Sequence, residues 1–66
     1  MRASDVAEVS TLRAQIDDLT TRLLEVAERY DDSADSQIAT ELFAAERALM
    51  SARRSLERAL RMIAPD

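Results

Sequence analysis

The stretch Val9–Tyr30, VSTLRAQIDDLTTRLLEVAERY, carries a helical signature. Its apolar side chains fall at Val9, Leu12, Ile16, Leu19, Leu23, Val26 and Tyr30, alternating steps of three and four that trace one stripe along an α-helix. A strand would require a period of two. Upstream, Ser4 or Asp5 can accept bonds from the free N–H groups of a helix start, and Glu8 follows Asp5 at the capping-box spacing. The spacing predicts a first helix over about residues 4–30.

The second half repeats the pattern at Ile38, Leu42, Ala45, Leu49, Ala52, Leu56, Ala59 and Ile63. A second helix is expected over about 36–64, where Pro65 forbids continuation. Residues 31–35, Asp-Asp-Ser-Ala-Asp, hold no apolar anchor and favour a turn. A connection this short makes the helices antiparallel neighbours. Laid side by side, Tyr30 meets Ile38, Val26 meets Leu42, Leu23 meets Ala45, Leu19 meets Leu49, Ile16 meets Ala52, Leu12 meets Leu56 and Val9 meets Ala59. Large residues repeatedly oppose Ala, which lets the backbones approach. The fold class is therefore all-α: one domain over 1–66, an antiparallel, coiled-coil-like two-helix hairpin with Ala/Leu layers.

Composition and charge agree with this. Of 66 residues, 12 are Ala, 9 Arg and 8 Leu, while Gly, Cys, His, Trp and Lys are absent. Strong helix formers dominate. Without Cys or His there is no thiol chemistry and no zinc site of the usual kind, and without Gly no phosphate-cradling loop. No metal or cofactor is expected. Residues 1–35 carry nine acids and four Arg, whereas 36–66 carry four acids and five Arg, so the arms attract. Asp18 with Arg22, Glu25 with Arg29 and Glu57 with Arg61 stand in the favourable order one turn apart. The net charge of −4 argues against general affinity for nucleic acid or anionic membranes. No signal peptide or membrane span is visible, so a cytoplasmic protein is expected. Arg without Lys, with abundant Ala, suggests a GC-rich bacterial or phage genome.

A lone hairpin of this size buries too little to offset its ordering entropy. One flank of the stripe is polar, with Glu8, Thr11, Gln15, Asp18, Arg22, Glu25, Arg29, Glu41, Ser51, Ser55 and Arg58. The other presents Val6, Leu24, Ala27, Ala39, Phe43, Met50 and Leu60. That apolar flank is the expected interface, joining two hairpins into an antiparallel four-helix bundle, with Leu24, Phe43 and Met50 as anchors. A helix of another protein could occupy it instead, or Phe43 and Met50 could fold over the hairpin's own core.

Arginines supply the other candidate contacts. Arg13 and Arg53 occupy facing flank positions and could hold an anion between them, unless Asp17 and Glu57, each four residues further on, neutralise them. Arg47, Arg54 and Arg61, with Arg58 nearby, form a basic stripe on the second helix that could meet RNA phosphate, although no aromatic is interleaved for base stacking. Tyr30 closes the stripe beside the turn and reads as structural.

Two resemblances bear on function. Leu12-Arg13-Ala14-Gln15-Ile16-Asp17-Asp18-Leu19, continuing to Leu23-Leu24 and Arg29, resembles the first helix of the all-helical chorismate mutases, whose pattern is Leu-Arg-x-x-Ile-Asp-x-Leu. The resemblance implies a substrate carboxylate bound by Arg13 and an active-site position for Arg29. Thr20 stands where that pattern has Asp, and residues 36–66 match none of the family's remaining catalytic positions. The architecture is also similar to repressor-of-primer-type helical hairpins, dimeric bundles that bind paired RNA loops. The residues themselves favour a non-enzymatic protein–protein interaction module, an adaptor or small regulator working as a homodimer. An RNA-binding regulator is the alternative, and a chorismate-mutase-like enzyme a distant third.

Overall fold

The computed structural model describes residues 2–63, with the side chain of residue 2 outside the description. It contains two helices, α1 (Arg2–Tyr30) and α2 (Ser36–Ile63), packed against each other in a rod of 52 × 15 × 13 Å. The antiparallel hairpin is the one expected. α1 starts before Ser4, so Ser4 and Asp5 lie inside its first turn; Asp5 there favours the positive end of the helix dipole without acting as the cap. The stop expected at Ala64–Pro65 lies outside the described residues.

The turn is built without glycine. The Asp31 N–H completes the last helical bond to the Ala27 carbonyl, and the Ser33 N–H bonds to the Tyr30 carbonyl at 3.1 Å. Asp32, at φ 63°, is the one non-glycine residue with positive φ among those described. Its place is the third position of the Tyr30–Ser33 turn, where a type II turn requires such a φ. Ser33 ties the connection together: its Oγ donates to the Tyr30 carbonyl at 2.6 Å and accepts from the Asp35 N–H at 3.1 Å.

The face along which the helices meet is rotated from the one the apolar spacing predicts. Val9, Ile16, Leu23 and Tyr30 on α1 are half-buried, as are Leu42, Leu49, Leu56 and Ile63 on α2, all as expected. The second line of contact differs. It is Val6, Arg13, Thr20 and Ala27 on α1, and Ala39, Glu46, Arg53 and Leu60 on α2. Leu12, Leu19 and Ile38 are instead 41, 47 and 43% exposed, and Ala45 and Ala52 are exposed with them.

Burial explains the rotation. By turning toward the flank that holds Leu24, Phe43, Met50 and Leu60, the hairpin half-buries these large side chains. Small Ala27 and Ala39, at 0 and 1% exposure, sit where the helices converge near the turn. The polar members of the new line are accommodated. Thr20 donates its hydroxyl to the Ile16 carbonyl at 2.8 Å, and Arg53 is paired as described below. No described buried side-chain polar atom lacks a hydrogen-bond partner.

Candidate functional site

The rotation leaves the hairpin with two unlike long faces. On one, Leu24, Phe43 and Met50 lie half-buried beside the interhelical seam. That face is crossed by an ion-pair bridge: Arg53 Nε donates to Asp17 Oδ1 at 2.5 Å, and Arg53 Nη1 donates to Glu57 Oε1 at 2.6 Å. The hydrogen bond from Arg53 to Asp17, then the charges of Asp17 and Glu57, raise the guanidinium pKa above its ordinary value, so the arginine stays charged. Asp17 and Arg53 come from different helices, so the bridge also pins their register.

The opposite face is apolar and open. A groove of about 600 Å³ runs between the helices, lined by Leu12, Gln15, Ile16, Leu19, Ala52, Ser55 and Leu56. Leu12, Ile16 and Leu19 come from α1 and Ala52, Ser55 and Leu56 from α2, in keeping with the expected Ile16–Ala52 and Leu12–Leu56 levels. Helical periodicity continues this face toward the turn through Val26, Ala45 and Ile38. It contains no charged residue between its two edges. Those edges carry Glu8, Arg22 and Arg29 on α1 and Glu41 on α2.

The residues expected to face a second hairpin are thus placed differently. Ala27 and Ala39 are buried inside the single chain and offer no surface to a partner. Val6, Leu24, Phe43, Met50 and Leu60 are half-buried against the same seam, within or beside the line of contact. The face left open is one edge of the expected stripe, Leu12, Leu19, Ile38, Ala45 and Ala52. The signal that distinguishes the two flanks is the Asp17–Arg53 pair, adjacent across the helices only when the seam includes the Arg53 line.

The arginines do not converge. Arg13 is half-buried and makes no ion pair among the described residues, because Asp17, its neighbour one turn on, is engaged by Arg53. Arg53 donates through Nε and Nη1 to two carboxylates that neutralise its charge, so it carries no unbalanced positive charge beside Arg13 to draw an anion. Arg54, Arg58 and Arg61 line a shallow recess of about 160 Å³ together with Glu57. Arg58 donates to Ser55 Oγ at 2.9 Å, and Arg47 is exposed further along α2. Arg29 is exposed in the last turn of α1. Among the described residues no cluster of acids is arranged to hold a metal ion, and no helix is long and apolar enough to cross a membrane. No protein-family model, curated protein or solved structure matches the chain.

Proposed function

We propose that the protein is a non-enzymatic protein–protein interaction module, an adaptor or small regulator, that works as a homodimeric helical hairpin and forms a four-helix bundle. The observation that carries this reading is the open apolar face. Three large aliphatic side chains, Leu12, Leu19 and Ile38, are more than two-fifths exposed along one side of the molecule. No large side chain among the described residues is fully buried.

Surface area supports a second chain on that face. The hairpin exposes 4983 Å². A compact monomer of 7.4 kDa exposes about 4,200 Å² by the usual scaling with mass. The excess, about 800 Å², is close to what one partner contributes to a stable interface.

Variants on the two faces test the reading. Leu19→Glu should convert a dimer into a helical monomer, read by light scattering together with circular dichroism. Leu24→Glu, on the seam, should instead lower helicity. A Leu19→Glu protein with the mass of the parent would overturn the assignment of the face. A second reading, RNA binding through Arg47, Arg54, Arg58 and Arg61, is favoured by the recess that Arg54, Arg58 and Arg61 share. It requires binding that weakens steeply with salt and is lost in Arg54→Gln/Arg61→Gln.

A further inference from the structure

Resting on the homodimer reading above, we infer that the two hairpins join in the same direction, with their turns at the same end of the bundle, so that α1 of each chain lies against α2 of the other. A pair of hairpins meeting face to face through one two-fold axis has two choices. With the axis along the helices, α1 packs on α2 of the second copy and every neighbour is antiparallel. With the axis across the helices, α1 packs on its own copy, α2 on its own copy, and the turns lie at opposite ends.

Side-chain size separates these choices. On the open face, the α1 line is Leu12 and Leu19, continued by half-buried Val26, and the α2 line is Ile38 at the turn end, then Ala45 and Ala52, continued by half-buried Ala59. Packing α1 on α2 sets Leu12 and Leu19 over Ala45, Ala52 and Ala59, large against small, with Val26 meeting Ile38 only at the turn end. Packing like on like crowds leucine against leucine on one side and leaves alanine facing alanine on the other. The two sides of the bundle would then demand different interhelical spacings from one rigid pair of hairpins.

Charge selects the same arrangement. α1 itself holds six acids and four Arg and α2 three acids and five Arg, while Asp31, Asp32 and Asp35 lie in the exposed turn, where solvent screens them. Alternation places each acidic helix beside the more basic one, whereas like-on-like packing sets the two acidic helices together. At the edge of the face, alternation brings Arg29 level with Glu41 of the second copy and Gln15 level with Ser55. Within one hairpin Arg29 and Glu41 sit on opposite outer edges and form no ion pair.

Spin-label distances in the full chain decide the matter, since the sequence has no cysteine to interfere. Nitroxides attached to Ala34→Cys, exposed in the turn, should lie within about 30 Å of each other, two to three helix diameters. A distance near the 52 Å length of the hairpin would overturn the same-direction arrangement. Labels on Ala14→Cys, exposed near the middle of α1, report dimerisation in either arrangement. Coupling there with distant turns overturns the orientation alone, and no coupling at either site overturns the homodimer itself. As an independent readout, Arg29→Glu should weaken the dimer roughly two- to tenfold. Adding Glu41→Arg should restore it, and an unrestored dimer contradicts the pairing.

Discussion

Asp32 carries the sharpest backbone demand in the molecule, a left-handed conformation in a chain that contains no glycine. Aspartate tolerates that region better than most residues but not freely. Asp32→Gly should therefore stabilise the hairpin by about 0.5–1 kcal/mol, and Asp32→Val should destabilise it by about 1–2 kcal/mol, both read from urea unfolding. Arg53 makes a different kind of contribution. It joins Asp17 across the helices and Glu57 along its own, with its side chain about one-third exposed. A double-mutant cycle between Asp17→Ala and Arg53→Ala should show favourable coupling that shrinks as salt is added, because water and counterions reach the pair. Coupling independent of salt would contradict that.

At the scale of the helices, Ala27 and Ala39 set the closest approach. Ala27→Leu should cost about 1–3 kcal/mol by overpacking, whereas Ala14→Leu, on the outside of α1, should be nearly neutral in thermal unfolding. The two helices, the turn and half of the seam were legible from spacing alone, because Val9, Ile16, Leu23 and Tyr30 and their counterparts Leu42, Leu49, Leu56 and Ile63 belong to any face the hairpin could use. The other half was not. Apolar residues flank this shared line on both sides, Leu12, Leu19 and Val26 on one and Val6, Leu24 and Ala27 on the other, so periodicity does not rank them. Arg13, Thr20, Glu46 and Arg53 interrupt the second side, so spacing places it beside the seam, as an apolar flank for a partner, and not within it. Long charged side chains, however, can lay their stems against a seam and keep their heads at its rim, and Thr20 satisfies its hydroxyl within its own helix. The candidate interface was displaced for the same reason: the flank expected to meet a partner is the flank the chain folds upon.

For the molecule as a whole, one edge of the stripe whose spacing marks it as the inner seam, Leu12, Leu19, Ile38, Ala45 and Ala52, lies open along the rod, and the exposed area exceeds that of a compact monomer by about what one interface covers. Both support the bundle proposed above, with its centre shared between two chains. Such a centre couples folding to association, so the midpoint of thermal unfolding should rise with protein concentration. Sedimentation equilibrium across a wide range of concentration separates a shared bundle from a lone hairpin. A bundle gives a species of twice the 7.4 kDa chain mass that dissociates on dilution, and a mass of 7.4 kDa at every concentration rules it out.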